Sequence, residues 1–154
     1  MMISYFKVRP EVVAPERAHP SDAGCDVFFN PENNKPVNIE SHRNVLLDTG
    51  CRFGIPHGYM LQVCNRSSMG AKRSLVVGAH IIDSGFAGNV FIDMHNIGTE
   101  IQTINPGDKI AQLIMIPVIH FVPLQANNEQ SLYDMVQITM SDRGPGALGS
   151  TDKK

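Results

Sequence analysis

The chain has 154 residues, enough for one domain with a real core, and its 42% hydrophobic and 18% charged content is ordinary for a globular protein. Thirteen basic residues against 15 acidic ones leave a formal charge of -2, which gives no basis for electrostatic capture of duplex nucleic acid. No apolar run approaches the ~20 residues of a membrane helix, and the start, Met-Met-Ile-Ser-Tyr-Phe-Lys, lacks a signal-peptide apolar region. In chain order, Ile3 to Val8 reads as a first strand and Cys25 to Phe29 as a second, after the turn-like His-Pro-Ser-Asp-Ala-Gly. Asn30 to Lys35 is a polar loop, and Val37 to Ile39 and Val45 to Leu47 are short apolar pieces. Tyr59 to Cys64 and Val90 to His95 have strand character. In the latter, Val90, Ile92 and Met94 point one way and Phe91, Asp93 and His95 the other. Ile110 to Val118 is a long apolar run, interrupted by Gln112 and closed by Pro117.

Helical periodicity is nearly absent, while ten prolines and 13 glycines punctuate the runs. Many short strands with regular turns predict an all-β subunit, a sandwich or barrel of which a jelly roll is one solution. The expected organisation is one β domain over residues 1–141 and a mobile C-terminal arm over 142–154, which has too little apolar surface to fold alone. Cys25, Cys51 and Cys64 cannot all pair within one chain and show no C-x-x-C spacing, so they read as reduced thiols in a cytoplasmic protein. The six histidines show no zinc-type spacing.

Four stretches can carry chemistry. Asn65 to Lys72 (Asn-Arg-Ser-Ser-Met-Gly-Ala-Lys) follows a strand, and its arginine, hydroxyls and lysine can cradle an anion; from pattern alone a polar turn with an N-cap serine is the better reading. His80 to Asn89 reads as a hairpin in which Gly85 and Gly88 allow a tight turn. There Phe86 can stack on a ring, and Asp83 is either a general base or an Asx-turn cap. Pro106 to Ile114 is a turn and a buried strand whose Gln112 needs a polar partner or faces solvent. The arm offers Arg143, three glycines (Gly144, Gly146, Gly149), Ser150 and Thr151, which can wrap a phosphate chain as a lid or form an ordinary terminus.

Taken together and in order, these stretches resemble the trimeric dUTPase family over nearly the whole chain. Ser21-Asp22-Ala23-Gly24-Cys25-Asp26 resembles its first motif and Arg66-Ser67-Ser68 with Lys72 its second. Ile81-Ile82-Asp83 with Gly85-Phe86-Ala87-Gly88-Asn89 resembles the third, and Gly107-Asp108-Lys109-Ile110-Ala111-Gln112-Leu113 the fourth. Arg143-Gly144 with Gly149-Ser150-Thr151 resembles the fifth. The resemblance implies a jelly-roll subunit, a homotrimer with three shared sites, hydrolysis of dUTP to dUMP and pyrophosphate, and Mg²⁺ held by the triphosphate and water. It assigns Asp83 as the base that activates water against the α-phosphorus. It assigns nucleotide contacts to Arg66, Ser67, Ser68, Gly78, His80, Phe86, Gln112, Arg143, Leu148, Ser150 and Thr151, with Asp26 acting on the metal's water shell.

Some positions depart from that pattern. Cys25 and Phe86 stand where tyrosine is common, His80 where many members have glycine, and Leu148 where the arm usually carries phenylalanine. Ala79-His80-Ile81-Ile82-Asp83 with Gly85-Phe86 also resembles dCTP deaminases, but the positions of their catalytic glutamate and arginine hold Asp93 and Ala71 here. A third reading, a dUTP-sensing protein that binds a partner, is disfavoured by the retained Asp83 and arm motif.

Overall fold

Short apolar segments cut by turn residues can bury their side chains only by pairing with distant segments, and the chain does so throughout. The computed structural model describes residues 2–134, which contain eleven strands and two short helices. The strands are β1 (Ser4–Lys7), β2 (Cys25–Phe28), β3 (Val37–Ile39), β4 (Asn44–Asp48), β5 (Cys51–Gly54), β6 (Tyr59–Cys64), β7 (Leu75–Val77), β8 (Ile81–Asp83), β9 (Phe91–Asn96), β10 (Gln102–Ile104) and β11 (Lys109–Pro117). The helices are α1 (Ser67–Arg73) and α2 (Glu129–Asp134). The all-β class expected from the sequence is present.

Four sheets form, with orders β2-β11-β6-β8, β4-β9-β7, β1-β5 and β10-β3. All the pairings are antiparallel. Strand β11 is the spine: Gln112 lies opposite Asp26 of β2 on one side and Cys64 of β6 on the other. A β-bulge between Lys109 and Ala111 interrupts the β2 side. It lets the consecutive residues Ile110 and Ala111 both reach the interior, where neither has any exposed surface.

The alternation read in β9 is real. Ile92, Met94 and Asn96 are buried, Phe91 is exposed, and Asp93 and His95 are half-buried. The apolar sides of β2, β3, β4, β6, β7, β9, β10 and β11 meet in one core that includes Val27, Ile39, Leu47, Leu61, Leu75, Ile92, Ile104 and Ile110. The buried Asn96 is satisfied by donating to the carbonyls of Ile39 and Glu100, and its oxygen accepts from Gly98 N–H.

Two expectations are corrected. Residues 80–89 do not form a hairpin: β8 pairs with β6 and β9 pairs with β4 and β7, so the turn between β8 and β9 carries the chain from one sheet to another. The polar stretch after β6 is a helix, α1, and not a simple turn. No serine caps it; Arg66 is its N-cap residue and makes no side-chain cap bond, while buried Met69 anchors it and left-handed Ser74 ends it. The chain divides between His120 and Phe121 into two compact units. In the second, Asn128 caps α2 by accepting from Ser131 N–H at 2.8 Å. The boundary expected at 141/142 lies outside the described residues. Among the described residues no helix is long and apolar enough to cross a membrane.

Candidate active site

Two depressions in the first unit hold four of the expected site residues, Asp83 and Phe86 in one and Arg66 and Ser68 in the other. The first is a cleft of about 250 Å³ where β8 leaves one sheet and β9 enters another. It is lined by Ile81, Ile82, Asp83, Phe86, Asn89, Val90 and Phe91. Asp83 ends β8, opposite Met60 of β6, and its carbonyl accepts from Phe86 N–H at 3.1 Å to close the turn. That bond brings the Phe86 ring back over the chain: a Cβ on Gly88 would strike it. Asp83 is the one ionisable lining residue, set among Ile81, Phe86 and Phe91, which are each about half exposed. Such a cleft can take a flat ring against apolar side chains with a carboxylate at its rim.

The second is a groove of about 420 Å³ lined by Arg66, Ser68, Met69, Lys72, Arg73, Gly107, Asp108 and Lys109. Here α1 turns its basic last turn toward the loop before β11. Four cations around one groove make an anion site in which guanidinium can donate in pairs. Arg73 is tied down, donating to Gln102 Oε1 at 3.0 Å and to the Thr103 carbonyl at 2.6 Å.

The cleft and the groove share no lining residue. Along β6, Met60 and Cys64 are separated by roughly 13 Å at a strand's rise, and Arg66 lies beyond that. One copy of the chain therefore does not bring Asp83 to Arg66.

The remaining expected residues are distributed as follows. Ser67 is exposed at the start of α1, outside the groove lining. Gln112 donates from Nε2 to the Asn65 carbonyl at 2.9 Å and packs so closely on Gly24 that a Cβ there would collide with it. Its polar partner is thus in the protein. His80 is exposed, holds Nδ1 at 2.9 Å from the Val63 carbonyl, and does not line the cleft.

Gly78 packs against the Asp93–His95 pair, which any Cβ would strike. Asp93 is 2.9 Å from His95 Nε2 and accepts from Asn44 Nδ2 at 2.7 Å. The Asn44 hydrogen bond, helped by His95, holds the Asp93 carboxyl below its ordinary value. Asp26 is locked between two cations: Oδ1 is 3.1 Å from Arg66 Nε and Oδ2 is 3.0 Å from Lys109 Nζ. Arg143, Leu148, Ser150 and Thr151 lie outside the described residues.

Two residues that hold groove elements in place had no role assigned from the sequence. Asn65 accepts from Val77 N–H at 2.7 Å and from Gln112, joining the end of β6 to β7 and β11. Its place at a strand end, before Arg66, is a signal of sorts. Glu16, 2.6 Å from Lys109 Nζ, stands outside every motif and has no signal in the sequence. The three cysteines are free thiols, and burial pushes that of Cys51 up to about 11.

Comparison with known proteins gives one family. The dUTPase family model matches residues 11–151. The deoxyuridine 5'-triphosphate nucleotidohydrolase of Picosynechococcus sp. is 30% identical over 153 residues, 98% of this chain and 99% of that protein. The enzyme of that name from Paraburkholderia phymatum is 34% identical over 122 residues, 77% of this chain and 76% of its own. Among solved structures, a mutant dUTPase from phage phi11 of S. aureus superposes with a TM-score of 0.75 at 24% identity, covering 84% of this chain and 99% of that one.

Proposed function

Because the chain belongs to the dUTPase family, we propose that it hydrolyses dUTP to dUMP and pyrophosphate, working as a homotrimer in the cytoplasm. The observation that carries this reading is Asp83, the single ionisable group of an apolar cleft sized for a base and sugar. Asp83 orients the attacking water and takes its proton as the oxygen bonds to the α-phosphorus and pyrophosphate leaves. Phe86 lies under the deoxyribose and leaves no room for a 2′-hydroxyl. Backbone groups from Gly78 to Asp83 read the uracil edge.

The phosphates are held at the groove of a neighbouring copy, by Arg66, Ser68 and Lys72 of its lining and by Ser67 next to them in the chain. The distance along β6 between Asp83 and Arg66 supports this division, because a site that uses both has to be assembled from more than one copy. Gln112 acts there by fixing Asn65. Arg143, Ser150 and Thr151 close over the phosphates, and Leu148 covers the base.

Mg²⁺ fits this arrangement as an ion held by phosphate oxygens and water. Among the described residues no three His, Cys, Asp or Glu side chains gather to hold a metal directly. Asp26 has both oxygens on cations, and a carboxylate with two of its ~four acceptor sites engaged can still accept from metal-bound water. When bound, the ion neutralises triphosphate charge. The phage phi11 protein is described with a structural Mg(II) ion.

The deaminase alternative is not needed: Asp93 is engaged by Asn44 and His95, and Ala71 supplies no cation. Purified protein given dUTP and dCTP separately with Mg²⁺ tests the reading by chromatography of the products. dUMP and pyrophosphate from dUTP, with dCTP untouched, are expected; deamination of dCTP overturns it. Light scattering should return three times the 16.9 kDa chain mass.

A further inference from the structure

Glu16 and Asp26 face each other across an isolated antiparallel bridge, with Glu16 N–H donating to the Asp26 carbonyl at 3.1 Å and the reverse bond at 2.7 Å. Residues directly opposed in this way carry their side chains on the same face, where two like charges repel. Lys109 resolves the conflict. Its ammonium lies 2.6 Å from Glu16 Oε1 and 3.0 Å from Asp26 Oδ2. Asp26 thereby keeps Oδ1 for Arg66 Nε at 3.1 Å, and Arg66 Nη1 donates to the Lys109 carbonyl at 3.2 Å. Two carboxylates and two cations form one neutral chain ending on Arg66. Of the five guanidinium N–H groups, two are used, and the other three have no acceptor among the described residues. Arg66 lines the groove.

From this we infer that Glu16, outside all the recognised motifs, is a positioning residue for the anion groove: it holds Lys109 so that Asp26 can hold Arg66. Without the Glu16 carboxylate, Lys109 has only Asp26. A carboxylate that turns to chelate the ammonium lets go of Arg66 Nε. The groove keeps its charge and loses the fixed orientation of its guanidinium, so binding of phosphate weakens while the chemistry at Asp83 does not. The inference rests on reading the groove as the phosphate site.

The test is Glu16→Gln, isosteric and half exposed, with Glu40→Gln as a control for the lost charge. Calorimetry with pyrophosphate reads the groove without catalysis. Glu16→Gln should weaken pyrophosphate about two- to fivefold, the scale of an exposed ion pair. It should raise KM for dUTP by a similar factor at unchanged kcat. Glu40→Gln should do neither, and Glu16→Asp should restore part of the loss. In a Lys109→Met background, Glu16→Gln should add nothing, because its effect passes through Lys109. Unchanged pyrophosphate affinity, or an equal further loss in the Lys109→Met background, overturns the inference. If the native protein fails to turn over dUTP, the hydrolase reading falls, while the pyrophosphate titrations still decide the role of Glu16.

Discussion

The cleft at Asp83 is lined by five apolar side chains, one amide and one carboxylate, whereas the groove at Arg66 carries four cations and a single carboxylate. The cleft is shaped by backbone: it exists because the chain changes sheets between β8 and β9, and its turn closes on itself through Phe86 N–H. The groove is shaped by side chains: its key guanidinium is aimed by an ion-pair chain reaching back to Glu16. A neutral ring needs shape and exclusion of water, which a fixed backbone supplies. A flexible polyphosphate needs charge held at fixed positions, which only braced side chains supply.

This contrast can be broken at several points. The largest effect is expected at Asp83. Asp83→Asn should lower kcat by ~10²–10⁴-fold, the usual share of a positioned base, while calorimetry shows dUTP still bound. Full activity would remove Asp83 from the chemistry. Next is Arg66→Ala, which deletes charge-assisted hydrogen bonds worth about 1.5–3 kcal/mol and should weaken pyrophosphate roughly 10- to 100-fold. Binding of deoxyuridine, which has no phosphate, should not change; if it weakens equally, the two regions are not separate in function. Phe86→Leu sharpens the other side. It should cost deoxyuridine about two- to tenfold, corresponding to an aromatic contact of ~0.5–1.5 kcal/mol, and leave pyrophosphate binding intact.

The smallest effect is a difference in pH response. The native Asp93 carboxyl lies below its ordinary 3.8, because Asn44 and His95 favour the ionised form. Its contribution to stability is present above 3.8 and is lost as pH falls through the depressed native value. The Lys109 ammonium lies above its ordinary 10.5, because Glu16 and then Asp26 favour the charged form. Its contribution is present below 10.5 and is lost as pH rises through the raised native value. Amide exchange should therefore show β9 loosening in acid and the Glu16–Asp26 bridge loosening in alkali. Both loosening together at one extreme would mean that global unfolding masks the local terms.

The strands long enough to show a period were legible in the sequence. Tyr59–Cys64, Phe91–Asn96 and Lys109–Pro117 fall within a residue of their expected limits, because six to nine residues display an alternation or an apolar run. Strands β5, β7 and β10 passed unnoticed, while β1, β2 and β3 of the same length were read; at three or four residues no period decides the matter. The hairpin at 80–89 was misjudged for a different reason. Gly85 and Gly88 announce a turn truthfully, but nothing local says that Ile81–Asp83 pairs with Met60–Gln62, some twenty residues upstream. Helix α1 escaped notice because Gly70 and paired serines are poor helix formers; burial of Met69 holds it in place. Of the residues singled out in the sequence, Asp83 and Phe86 line the cleft and Arg66 and Ser68 the groove. The clamp on Arg66 was not legible, since it depends on Glu16 meeting Lys109 across 93 residues of chain.

The bulge at Lys109–Ala111 decides where the chain can change length. In a regular strand Ile110 and Ala111 would point to opposite sides. Deleting Ile110 would restore an even ladder and leave Lys109 on the face it shares with Asp26, yet it would remove a fully buried side chain from the core. Past the buried Asn30, residues 31–36 have no ladder to keep in step, since no strand runs through them. Insertions and deletions therefore cost less at residues 31–36 than at Ile110, although both segments lie beside the same strand β2.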